Sequence, residues 1–336
     1  MKKHIPYSLL AAAAACAMAY GDTAYTTPVG YSTQSLIQGF NASGLTLQTP
    51  SLAAGALDSV SGTALTDDQL TFTPTAGRIY VLEIVAAANA AAVGTIQEIP
   101  AASISGTTIT ASDDISGLVA AGDRYILRVA PTLEDIFTTV PLATGGVLAA
   151  ALSSGSADIV WVPKGNGTYD QYFLHSSTLA FRRAGTTTPT PNVPLIYADG
   201  LLVQKRTTAA ASLTVSGEVK KVGTNSVAVQ GFNLLGVVAP VGLNLFNSGL
   251  DATLAPALSV GSADVVWVQN PNLTYTQYFR RSGTLVESGW RVSGASVNLT
   301  VAQAEAVTLS PGFLVQRRAS SSINIGLKVP TSHSSF

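Results

Sequence analysis

Apolar residues in this chain come in short runs broken by turn residues, and one such run is written twice. Asp158–Val162 (DIVWV) is β-branched and aromatic, and it is apolar on both faces, which predicts a strand buried in the middle of a sheet. Pro163–Thr168 then supplies a breaker and small residues able to take positive φ, and Tyr169–Leu174 (YDQYFL) resumes as a second strand. The stretch Gly155–Phe173 recurs as Gly261–Phe279 at a constant offset of 106, with 13 of 19 positions identical. Chance gives about 5–10% identity per position, so the chain contains a duplication. The turn differs between the copies (Asn270-Pro-Asn-Leu-Thr274 in the second) while the strands are retained. Packing constraints have that form; a shared active-site loop would vary the other way.

The copies continue to correspond. Leu201–Arg206 (LLVQKR) matches Phe313–Arg318 (FLVQRR) at an offset of 112, and Leu213–Val219 matches Ile323–Val329 at 110. Each unit therefore has at least four strands. Short strands separated by turn signals favour sandwiches over a parallel α/β fold. Before the repeats, Val29–Ile37, Gly44–Gln48, Ile79–Val85, Thr95–Ile99, Thr107–Thr110 and Arg124–Val129 read as strands, and Thr132 reads as the cap of a short helical turn running to Phe137. Gly39-Phe-Asn41 faintly echoes Gly231-Phe-Asn233. The expected organisation is all-β, with tandem antiparallel β-sandwich modules: a signal peptide over 1–19, an N-terminal β domain over 20–133, and two repeats over 134–222 and 223–336.

Composition changes the picture in two respects. Only 11% of residues are charged and net charge is −1, against a usual charged share of about 25%. Without a concentrated positive surface, nucleic acid is not an expected partner, and a surface this poorly charged is weakly protected against self-association. At the N-terminus, Met1-Lys-Lys-His4, the apolar run Tyr7–Ala15 and the small-x-small Ala17-Met-Ala19 together read as a signal peptide cleaved near Ala19, which predicts secretion. That run is too short for a stable membrane anchor. Cys16, the only cysteine, is either lost with the signal or lipidated as a first mature residue. If it is lost, disulfides contribute nothing.

Candidate chemistry is sparse. His175 ends a strand and corresponds to Arg281 in the other copy, so a catalytic role is not expected and a surface position is; His333 lies in the tail. There is no nucleophile elbow, phosphate loop or zinc set. The pairs Asp67-Asp68, Asp113-Asp114 and Glu134-Asp135 read as turn residues, with loosely held structural Ca²⁺ or glycoside hydrolysis as the alternatives. No cofactor is expected. Asp158 and Asp264, in matched Ser-Ala-Asp turns, are expected to bond nearby backbone N–H groups, the other reading being one ligand contact per repeat. Trp161 and Trp267, with Tyr172, Tyr278, Phe173 and Phe279, are expected to form the core of the repeats, although a carbohydrate platform uses the same rings on an exposed face. Lys205-Arg206 and Arg317-Arg318 read as strand-end charges that guard an edge, or as a basic rim for anionic glycans.

Several segments, taken in order, resemble an uncharacterised family of secreted β-rich proteins of verrucomicrobial bacteria: Thr27–Tyr31, Gly117–Arg128 with Pro131–Leu133, Ala157–Trp161, Leu213–Val219, Gly289–Arg291 and Pro311–Arg318. Gly231-Phe-Asn233 stands where that family has Trp-Asn, and the first repeat lacks the Gly-Trp-Arg of the second. The resemblance implies secretion; the family carries no assigned activity and so supplies no functional residues. The expected function is a secreted, non-enzymatic structural protein that self-associates in a fibre, sheath or surface layer. A cell-surface adhesin binding glycans through Tyr172, Tyr278 and the matched Asp residues is the alternative. An outer-membrane barrel ranks last, because its strands should be longer, with aromatic girdles.

Overall fold

The computed structural model describes residues 28–283, 286–330 and 333. The signal-peptide segment, Cys16 and the terminal Phe336 lie outside the described residues. Among the described residues the chain is all-β with three short α-helices. In order it forms β1 (Val29–Leu36), β2 (Gly39–Gly44), β3 (Ser51–Ala56), β4 (Ser59–Ser61), β5 (Ala64–Thr66), β6 (Ile79–Ala86), β7 (Ile96–Pro100), β8 (Ile104–Ser105), β9 (Thr108–Thr110) and β10 (Arg124–Val129). Then follow β11 (Ile159–Pro163), β12 (Tyr169–His175), β13 (Ala180–Arg183), β14 (Gly200–Lys205), β15 (Ala211–Glu218), β16 (Thr224–Ala228) and β17 (Gly231–Gly236). The last five are β18 (Val265–Gln269), β19 (Tyr275–Gly283), β20 (Val286–Val292), β21 (Gly312–Arg317) and β22 (Ile323–Leu327). Among the described residues no helix is long and apolar enough to cross a membrane. The expected turn after Thr132 is present as a helix over Leu133–Phe137, closed by a capping box between Thr132 and Asp135.

Each repeat is a two-layer sandwich. In the first, a five-stranded antiparallel sheet of order β13-β12-β11-β14-β2 is covered on one face by the ribbon β1–β15. Leu36, Leu213 and Val215 of the ribbon meet Val160, Tyr172, Leu174 and Val203 of the sheet in one core. The second repeats the plan with the sheet β17-β21-β18-β19-β20 and the ribbon β16–β22, joining Ala228, Ile325 and Leu327 to Val266, Phe313 and Val315.

Strand pairing redraws the expected N-terminal domain. β1 pairs with β15 and β2 with β14, so both belong to the first repeat, as their counterparts β16 and β17 belong to the second. The echo between Gly39-Phe-Asn41 and Gly231-Phe-Asn233 is therefore a true correspondence, at an offset of 192. Asn41 Nδ2 donates to the carbonyls of Ile37, Gly39 and Val203; Asn233 Nδ2 donates to those of Val229, Gly231 and Val315. Between β2 and α1 (Leu133–Phe137) sits an inserted sandwich of two four-stranded sheets, β3-β10-β6-β7 and β4-β5-β9-β8, around Leu65, Leu82, Ile84, Ile109, Tyr125 and Leu127. Its neck is closed where Thr49 Oγ1 donates to the carbonyl of Val129 at 2.6 Å.

The register also corrects one alignment. Gln34 pairs with Leu213, and its counterpart Ser226 pairs with Ile325. Leu213 therefore corresponds to Ile325 and the offset stays at 112. A two-residue slip preserves in–out alternation, so the apolar pattern alone does not distinguish 110 from 112.

The repeats meet across a local two-fold seam. A Cβ on Gly44 would lie 2.2 Å from the carbonyl oxygen of Pro311, and one on its counterpart Gly236 would lie 2.7 Å from that of Asp199, the counterpart of Pro311. A Cβ on Gly312 would lie 2.2 Å from the oxygen of Ser43, and one on Gly200 would lie 2.8 Å from that of Leu235, again equivalent positions. Contact of position i with j′ and of j with i′ defines an isologous interface. The seam covers the edges at β2 and β17. At the far ends, β13 and β20 are the outer strands of their sheets.

Candidate functional site

Asp158 and Asp264 are buried, and each ties three parts of its repeat together. Asp158 Oδ2 accepts from the Ala149 N–H at 2.8 Å and from Lys205 Nζ at 2.5 Å, while Oδ1 accepts from the Arg206 N–H at 2.7 Å. Asp264 repeats this with Ala255 N–H (3.0 Å), Arg317 Nη1 (2.6 Å) and Arg318 N–H (2.8 Å). The backbone bonds expected of these aspartates are present, but their partners are distant in sequence. Lys205 and Arg317 are buried ion-pair partners on β14 and β21, strands flanked on both sides. Neither guards an edge or offers a basic rim, which corrects the reading for Lys205 and Arg317; Arg206 is half-buried and Arg318 exposed.

Alternation along the strands sorts the aromatic residues. Val160 and Val162 face the core with Tyr172, while Trp161 between them points to the opposite face. Tyr172 is buried, and Tyr278 packs against the core of the second repeat. The tyrosines expected to face a glycan thus face inward. Phe173 and Phe279 are on the outward side but are buried there; Phe279 packs with Val265, Ala257, Val260 and Trp267 in a small separate cluster. Trp161 and Trp267 are half-buried on the outward faces, not in the core. Phe40 lies 6.0 Å from the Trp161 ring, and Phe232 lies 5.5 Å from Trp267. Gln171 and Gln277 sit directly opposite the two tryptophans across β11–β12 and β18–β19. Gln204 and Gln316 follow on the next strand, facing the same way. The expectation missed this facing because DIVWV is apolar on both sides, so its pattern carries no orientation.

The remaining candidates are occupied by structure. His175 is buried, with Nδ1 3.1 Å from Ser177 Oγ, and His333 is buried as well; neither holds the surface position expected of His175. Asp67 accepts from the Tyr125 hydroxyl at 2.8 Å, Asp114 bonds Ser116, and Asp135 caps its helix and pairs with Arg78. Among the described residues no three His, Cys, Asp or Glu side chains are grouped to hold a metal ion.

One cleft of about 540 Å³ opens where all three units meet. It is lined by Glu98 and Asp113 from the insertion, Asp170 and Asp199 from the first repeat, and Asn225 and Val227 from the second. Burial, with the Glu98 charge nearby, raises Asp199 to about 7. Burial and the Asp113 charge raise Glu98 as well. Beside it, Glu83 and Lys220 form a buried pair that fastens the insertion to the first repeat, and Tyr197 Oη and Gln48 Nε2 both donate to Glu83. Nothing in the composition marked this junction, because its members are scattered from Gln48 to Lys220.

No family model, no curated protein and no solved structure matches this chain.

Proposed function

We propose that this chain is a secreted, non-enzymatic structural protein that adds to copies of itself edge to edge in an extracellular fibre, sheath or surface layer. One observation carries the reading. The isologous seam welds two equivalent sandwiches into one body, and the same local two-fold places equivalent outer strands, β13 and β20, at its two ends. Their outward carbonyls are in part met by the chain that follows, from the Thr190 N–H to Phe181 on β13 and from the Leu299 N–H to Trp290 on β20; pairing with another copy would use the outward groups that remain or displace these segments. A body with two such equivalent ends extends without closing when each end pairs with another copy. The overall charge of the chain is low, although β13 itself carries Arg182 and Arg183, the latter paired with Asp170. The duplicated carboxylates, the natural candidates for chemistry, are held in buried ion pairs.

Negative-stain microscopy and sedimentation of the mature protein over a hundredfold concentration range test it. Linear polymers are expected, and Ser288→Lys with Ala180→Lys, one charge on each outer strand, should shorten them. Strict monomers at the highest concentration would end this reading.

A further inference from the structure

The outward faces of the two five-stranded sheets carry the same residues: Phe40, Trp161, Gln171, Gln204 and Tyr169 on one, Phe232, Trp267, Gln277, Gln316 and Tyr275 on the other. The core-facing sides are no better matched. They keep their valines and a tyrosine but exchange Leu201 for Phe313, Leu174 for Arg280, Phe181 for Trp290 and Lys205 for Arg317. If packing alone held the duplication in place, solvent-side positions would be the first to drift. Here an indole, two amides, a phenol and a phenyl ring are intact in both copies, with Phe40 44% and Phe232 43% exposed.

We propose that these faces are two equivalent binding platforms for a neutral glycan chain. The indole and phenyl rings offer a flat apolar surface to the C–H face of a pyranose. The paired glutamines offer both donors and acceptors to its hydroxyls, since each amide carries two N–H groups and a carbonyl. None of these ten side chains is a carboxylate or an ammonium, and Arg182 and Arg291, which share the faces beside Phe173 and Phe279, lie two strands from the indoles, so the surface around the rings matches an uncharged ligand. The indole Nε1 atoms of Trp161 and Trp267 and the Gln316 Oε1 are buried without a hydrogen-bond partner among the described residues, so a sugar would meet the ring faces and not these atoms. The platforms adjoin at the seam: Gln269 Nε2 donates to the Phe40 carbonyl at 2.7 Å and to the Tyr275 hydroxyl at 3.0 Å, linking one platform to the other. A chain of several sugars therefore engages both, with the gain in affinity that two linked sites give.

The test is calorimetric titration of the mature protein with neutral hexaoses of glucose, xylose, mannose and N-acetylglucosamine. At least one should bind saturably and more tightly than its own disaccharide. Trp161→Ala and Trp267→Ala should each weaken binding by about tenfold or more, as expected when one of two linked sites is lost. Gln171→Leu with Gln277→Leu keeps side-chain volume, so it should weaken binding while the thermal midpoint holds, which separates lost recognition from lost folding. Failure of all four hexaoses to bind overturns the proposal. So does binding that is indifferent to these substitutions, or a double Trp variant that abolishes polymers and leaves sugar binding intact, which would show that a second copy covers the face.

Discussion

Lys205 is 1% exposed and Asp158 fully buried, so each is tolerable only because of the other. Taking two charges out of water is repaid only with good geometry and with the remaining valences satisfied. Here the carboxylate also receives two backbone N–H groups and Lys205 Nζ donates to the Val147 carbonyl at 2.9 Å. Asp158→Asn should therefore lower unfolding free energy by about 3–5 kcal/mol in urea titrations, because it strands a buried ammonium. Asp158→Leu combined with Lys205→Met should recover most of that loss, since replacing a whole buried pair by apolar groups is nearly neutral or better. A double variant no more stable than the single one would show that the carboxylate matters for its backbone bonds, not for the charge. Arg317 stands in for Lys205 without loss of the pattern, and it adds a bond from Nε to the Ser321 carbonyl.

At the scale of elements, the seam rests on glycines that are not turn residues. Gly44 and Gly312 lie in strands, where a Cβ would meet backbone oxygen at 2.2 Å. Gly44→Ala or Gly312→Ala should destabilise by about 1–3 kcal/mol through forced backbone shifts. Gly30→Ala, in β1 with open space around it, should leave the thermal midpoint unchanged or slightly raised. Equal effects at Gly44 and Gly30 would mean that the strands do not touch there. What the sequence makes legible at this scale follows from the same geometry. The strands containing Trp161 and Trp267 were evident because both copies repeat them without a gap. The membership of Gly39–Gly44 in the first repeat was visible only as a three-residue echo, since the insertion separates β2 from its partner. The direction of the Trp side chains was hidden because their strands are apolar on both faces. Lys205 was misread because a charge at the end of a strand looks the same in sequence whether it meets water or a buried aspartate.

At the scale of the whole molecule, the three units share one acidic junction, which gives stability a pH dependence of definite sign. Asp199 is raised in the folded state from 3.8 to about 7. Folding therefore favours its protonated form; the contribution is complete below the unfolded value and is lost as pH rises through about 7. Thermal midpoints should fall between about pH 4 and pH 7, and Asp199→Asn should flatten that fall and raise the midpoint at pH 8. An unchanged slope in the variant would place its origin elsewhere. The closed neck of the insertion has a consequence for how the chain finds its partners. β2 must wait for β14, 156 residues onward from Gly44 to Gly200. Meanwhile β17, its near copy, begins only 26 residues after β14 ends, from Lys205 to Gly231. Loop entropy favours that wrong neighbour by about 1–2 kcal/mol. Once the inserted unit has folded, Thr49 and Val129, 80 positions apart, are joined at its base, and the stretch between them no longer lengthens the loop. The insertion thereby acts as a stitch: it leaves about 76 residues of open loop, still more than 26, and trims the twin's entropic advantage to about 1 kcal/mol.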